Sequence, residues 1–185
     1  EKEELFRLEI AFFACDEPTP DADSADLVSF EVDGQSLQAN KFVLAAASPK
    51  FKAQLFGDCK QSGIIYISDS SFEAFKFFLA LLADTSPDHA CKALHSAPGD
   101  VDLVEVFALA DRYCATLAKS IAEAAVLHHV SQENVLDLLE LCKRHKATAL
   151  AHRICDQAIA RLPKHALGEV FKAVVNQAME PPRGD

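Results

Sequence analysis

Residues 26 to 57, DLVSFEVDGQSLQANKFVLAAASPKFKAQLFG, constrain the fold more than any other stretch, because their apolar period changes once and abruptly. Val28, Phe30 and Val32 alternate with Ser29, Glu31 and Asp33, the period of a strand with one buried face. Asp33-Gly34 is a preferred pair for a two-residue turn, and QSLQA is the returning strand. From Asn40 the spacing becomes helical, with Phe42, Val43 and Ala46 on one stripe. Ser48-Pro49 ends this helix and Pro49 opens the next, where Phe51, Leu55 and Phe56 are expected on one face up to Gly57. A hairpin followed by a helix pair predicts a mixed fold with a small sheet.

The remaining elements follow in order. IIYIS is a third strand, and SFEAFKFFLALLA is a strongly apolar helix opened by Asp69 or Ser71. The loop DTSPDHACKALHSAPGD separates it from the helix VDLVEVFALADRYC. From Thr116 the pattern is helical throughout. TLAKSIAEAAVLHHV is followed by SQENVLDLLELCKRH, with Ser131 as the expected cap and Val135, Leu138, Leu139 and Cys142 as the expected buried seam. ALAHRICDQAIARL places Ile154, Ala158 and Leu162 at core spacing; Pro163 ends it, and KHALGEVFKAVVNQ supplies one more helix before the tail EPPRGD. Upstream, EKEELFRLEIAFFAC fits a helix through Leu5, Leu8 and Phe12 as well as a strand through Leu8, Ile10 and Phe12, and DEPTPDADSAD reads as a linker. The chain begins at Glu1 rather than Met, as expected of a segment of a longer protein. The expected class is therefore α+β and mostly helical. An N-terminal segment and acidic linker occupy 1–25, a mixed domain 26–127, an α-helical extension 128–178 and a tail 179–185.

Charge narrows the function. A net charge of -10 repels phosphate, and no Lys/Arg run offsets it, so neither nucleic acid nor an acidic membrane is an expected partner. No apolar run has membrane-spanning length. Cys15, Cys59, Cys91, Cys114, Cys142 and Cys155 lack the spacing of a disulfide framework, which predicts reduced thiols in the cytosol or nucleus. No nucleophile-elbow, zincin, Walker or dinucleotide motif is present, so no enzyme and no cofactor are expected. Cys142-x-x-His145 and His152-x-x-Cys155 are mirrored i, i+3 pairs of metal-ligand type on consecutive helices. Their spacing matches no standard zinc module, and the preferred reading puts both cysteines in buried seams and the histidines at the seam edges, with no metal. Cys91 and His95 make only two ligands, and His128-His129 suit the carbonyl end of a helix.

Taken together, DLVSFEVDGQSLQANKFVLAAASPKFKAQLFG, IIYISDSSFEAFKFFLALL and VFALADRYCATLAKSIAEAAV resemble the BTB/POZ domain, nearest to its MATH-BTB (speckle-type) branch. SQENVLDLLELCKRHKATALAHRICDQAI resembles the three-box helices that follow the domain in that branch, or the start of a BACK domain. The resemblance implies a three-stranded sheet flanked by helices, a charge pair between Asp26 and Lys41, and a homodimer centred on the helix from Asn40. Asn40, Phe42, Val43, Ala46 and Ala47 would then be interface residues. Small residues there permit close helix approach, and an exposed apolar helix must be covered. The family usually has His at position 40 and a basic or polar residue at position 47. It also implies binding to a cullin-3 scaffold through a hydrophobic-x-Glu motif after the second helix. The matching residues are Cys59, Lys60 and Gln61, preceded by Phe56, and Gln61 lacks the charge of the family's Glu. Three functions stay open: a cullin-ligase adaptor, a scaffold module that does not bind cullin, and a domain that only dimerises its parent.

Overall fold

The computed structural model describes residues 26–58, 63–83, 101–164 and 167–168. Within them the chain is α+β, with seven helices and one three-stranded sheet. Strand β1 (Leu27–Val32) pairs antiparallel with β2 (Gln35–Asn40) from Leu27↔Asn40 to Val32↔Gln35. The turn between them is held by Asp33 and Gly34, both at positive φ (49° and 74°), which matches the twist of the flanking strands. β3 (Ile65–Ile67) lies on the other side of β1, parallel to it, with Phe30 opposite Ile65. The alternation read from the sequence holds: Val28, Phe30, Val32, Leu37, Ala39, Ile65 and Ile67 all face the core.

Helices α1 (Lys41–Ala47) and α2 (Pro49–Phe56) are separated by one residue. Asn40 begins α1 by accepting hydrogen bonds from the amides of Phe42 (2.9 Å) and Val43 (3.3 Å). Ser48 serves both helices. Its amide donates to the Leu44 carbonyl, and its hydroxyl accepts from the Phe51 amide at 3.1 Å. Fully buried, that hydroxyl also donates to the Tyr113 carbonyl. Gly57 closes α2 because a Cβ there would stand 2.3 Å from the Ala53 carbonyl oxygen.

Helix α3 (Phe72–Ala83) packs against α1 and against α4 (Leu103–Arg112), burying Phe75, Phe77, Phe78, Leu79, Leu81 and Leu82. Its centre is an aromatic cluster. The Phe51 and Tyr113 rings stack at 4.3 Å, and Phe30, Phe75 and Phe78 close round them at 5.2 to 6.4 Å. Each such buried ring stabilises the fold by roughly 1.5 to 3 kcal/mol through area alone.

The chain divides into two compact units, one ending at Ala122 and the other beginning at Glu123, so that the division falls within α5 (Thr116–His128). In the second unit α6 (Val135–Arg144) packs on α7 (Thr148–Arg161). α7 buries Leu150, Ile154 and Ala158, as the spacing predicts for the last two. Four details differ from expectation. Ser131 does not cap α6, because the helix starts four residues later at Val135. A turn intervenes, in which Asn134 Oδ1 accepts from the Ser131 amide (2.8 Å) and Asn134 Nδ2 donates to the His129 carbonyl (2.7 Å). The Ser131 hydroxyl is instead engaged by Glu133, and this bond is the main cause holding that exposed carboxyl below its ordinary range. Leu138, Leu139 and Leu162 are half-buried rather than seam residues; only Val135 and Cys142 of α6 are buried. Cys155 points outward on α7, and Phe56 lies outside the core.

Candidate interaction surface

Helix α1 has two apolar faces. Leu44 is buried against the core, while Phe42, Val43 and Ala46 project into solvent, with Phe42 57% and Val43 38% exposed. Helix α2 behaves likewise. Phe51 and Leu55 are buried, and Phe56 is 47% exposed and meets Phe42 with ring centroids 5.3 Å apart. The Phe42–Phe56 contact joins the start of α1 to the end of α2, so the pair forms an antiparallel hairpin hinged at Ser48. One turn from each ring stand Ala46 and Ala53, also exposed. The exposed apolar residues Phe42, Val43, Ala46, Ala53 and Phe56 thus form an apolar strip on this hairpin, with exposed Lys52 beside Ala53. No acidic residue occurs between 41 and 56, and the Lys50 ammonium is turned to the Tyr113 ring at 4.8 Å.

The residues named from the sequence as a dimer interface therefore fall into two groups. Phe42, Val43 and Ala46 are presented outward, whereas Ala47 is half-buried and Asn40 is occupied as a helix cap. The Leu27↔Asn40 register sets Asp26 and Lys41 at the next positions beyond the end of the β1–β2 ladder. Cys59, Lys60 and Gln61 lie outside the described residues, as do Cys91 and His95; only Phe56 of the cullin-binding candidates is placed. Among the described residues, Ile64, Tyr66, Leu117 and Ile159 are the other exposed large apolar side chains.

The sequence did not single out Glu105. It is buried among the apolar residues of α4 and accepts from both the amide and the hydroxyl of Ser71, each at 2.7 Å. Ser71 in turn accepts from the Ala74 amide at 3.4 Å, so it is the residue that opens α3. Asp69, the other candidate, pairs with Arg112 at 2.5 Å. Two side chains of α4 thus clamp the loop before α3, Glu105 taking the part that a glutamate three residues into the helix takes in a capping box. Burial pushes the neighbouring Tyr113 hydroxyl up, with Asp69 reinforcing and Arg112 opposing the shift.

The two Cys/His pairs are split by burial. Cys142 is inside and His145 half-buried, while His152 and Cys155 are on the outer face of α7. Partial covering of its thiol, then the neighbouring Asp156, push Cys155 up, although the residue as a whole is exposed. α5 ends at His128, and the His128 and His129 rings sit edge to face at 5.4 Å. No described helix is long and apolar enough to cross a membrane.

The family profile of the BTB/POZ domain matches residues 25–129, more than half of the chain. The chain belongs to the BTB/POZ domain family. Among curated proteins it is similar to three from Arabidopsis thaliana. BTB/POZ and MATH domain-containing protein 3 is 29% identical over 124 residues, covering 64% of this chain and 30% of the relative. Protein 6 of that name is 27% identical over 133 residues, with 66% and 32% covered, and protein 4 is 26% identical over 131 residues, with 66% and 28% covered. These relatives match the MATH-BTB branch that the sequence resembles, and the chain spans about a third of their length. Within this family the domain is a protein-interaction adaptor module.

Proposed function

We propose that the chain is the homodimeric interaction module of a substrate adaptor for a cullin-3 type ubiquitin ligase, acting without catalysis, metal or cofactor in the cytoplasm or nucleus. The observation that carries this reading is the apolar strip on α1 and α2, exposed in a protein whose net charge is -10. A second copy of the chain covers the α1 part of the strip, with Phe42, Val43 and Ala46 at its centre and Asp26 paired with Lys41 at its margin, which leaves Phe56 on α2 uncovered. The cullin meets Phe56 and the residues after it, the α6–α7 pair supplies further cullin contacts, and a domain outside this chain holds the substrate.

A second reading keeps the dimer and omits the cullin. It is favoured by Gln61, which stands where the family motif has Glu. Calorimetry against a cullin-3 N-terminal fragment separates the two. The adaptor reading expects measurable binding, tightened by about 1 to 3 kcal/mol in Cys59→Met/Gln61→Glu, or roughly five- to a hundred-fold. No binding by either protein leaves the scaffold reading in place.

A further inference from the structure

We infer that the outer face of α7 is the docking surface of this chain's own C-terminal segment, residues 164–177, which closes over Cys155 and Ile159. The inference is independent of the dimer and cullin readings. Its basis is that α7 carries two apolar stripes. Leu150, Ile154 and Ala158 form the first and are buried. At 100° per residue, Ala151, Cys155 and Ile159 fall within about 80° of one another, centred about 100° round the helix from the first stripe. Among the described residues this second stripe is open: Cys155 and Ile159 are exposed, and Ala151 and the capping Leu162 are half-buried. Ile159, 67% exposed, is more open than any other large aliphatic side chain among them.

Connection, length and pattern name the occupant. Leu162 caps α7 in an extended conformation (φ -81°, ψ 145°), and the Leu167 amide donates to the Pro163 carbonyl at 3.1 Å, so a new helical turn starts where the stripe ends. α7 has 14 residues, and so has the segment KHALGEVFKAVVNQ. Its Leu167, Val170, Phe171, Val174 and Val175 recur at i, i+3, i+4, i+7 and i+8, the spacing of one apolar helix face. Ile159 and Leu167 stand four residues either side of Pro163, Cys155 and Phe171 eight, and Ala151 and Val175 twelve. An antiparallel pair joined by so short a connection sets these residues opposite one another. The connection also gives the segment an effective concentration on the order of millimolar, which a second copy at micromolar concentration does not match. In the adaptor reading, the α6–α7 pair then meets the cullin through its remaining faces.

Alkylation of the intact chain, resolved by cysteine with mass spectrometry, reads the cover. The rate at Cys155 in the parent is compared with that in Phe171→Ser, so that the raised pKa of this thiol acts on both alike. Phe171→Ser is expected to speed alkylation of Cys155 by at least about tenfold, with exposed Cys114 unchanged. Buried Cys142 is expected to stay unreactive, which shows that the α6–α7 pair is still folded. Lys172→Ser, off the apolar face, is expected to leave the Cys155 rate within about twofold. Phe171→Cys identifies the occupant, because mild oxidation is expected to join the introduced thiol to Cys155 within one chain. Equal Cys155 rates in the parent and Phe171→Ser, or no link within one chain, overturns the inference. A link only between two chains overturns it in favour of a second copy on this face.

Discussion

Ser48 joins three pieces of the fold with one amide and one hydroxyl, ending α1, starting α2 and holding the Tyr113 carbonyl. Ser48 is fully buried, so an alanine would leave the Phe51 amide and the Tyr113 carbonyl without this partner. Ser48→Ala is expected to lower unfolding free energy by about 1 to 3 kcal/mol, read as a lower urea midpoint at unchanged slope. Tyr113 gives a pH test. Burial raises its pKa, so the folded state holds the proton more tightly than the unfolded one. Its contribution is therefore complete below the ordinary tyrosine pKa and is lost as pH rises through the raised one. Tyr113→Phe keeps the ring stack and is expected to flatten the alkaline limb of the stability curve. An equally steep limb in the variant would show that the tyrosine does not cause it.

At the scale of elements, the sequence was most legible where one face is polar and one apolar. Val28, Phe30 and Val32 alternate with Ser29, Glu31 and Asp33, and the strand follows directly. Helix α2 was harder, because Leu55 and Phe56 are adjacent and both strongly apolar, so composition alone offers either to the core beside Phe51. Geometry decides: Leu55 is about 40° round the helix from Phe51 and Phe56 about 140°, so only the first can share its face. Helix α1 has apolar residues on both sides, and nothing local says which side meets the core. Glu105 was illegible for another reason, since its partner Ser71 is 34 residues away. The turn before α6 shows a cap misread for want of two residues of context. There Asn134, with bonds to both His129 and Ser131, outweighs the expected Ser131 cap. Asn134→Ala is expected to cost about 1 to 2 kcal/mol and Ser131→Ala less than about 0.5, in urea unfolding followed by circular dichroism. The reverse order would restore Ser131 as the main support of the turn.

For the whole molecule, the phenylalanines are of two kinds, buried in the aromatic cluster like Phe51 or exposed on the α1–α2 hairpin like Phe42. Truncating buried Phe51 to alanine is expected to remove about 3 to 5 kcal/mol of stability, whereas truncating exposed Phe42 is expected to cost the fold little and to show its effect on the proposed association. The sequence supplied the apolar composition of both, and the packed aromatic cluster separates them. The central claim is that the exposed face of α1 is a dimer face, and sedimentation equilibrium of the intact chain beside Phe42→Ser tests it most directly. The account predicts a dimer for the parent at micromolar concentration and a monomer with an unchanged circular dichroism spectrum for the variant. A parent that sediments as a monomer, or a variant that stays as dimeric as the parent, would contradict it.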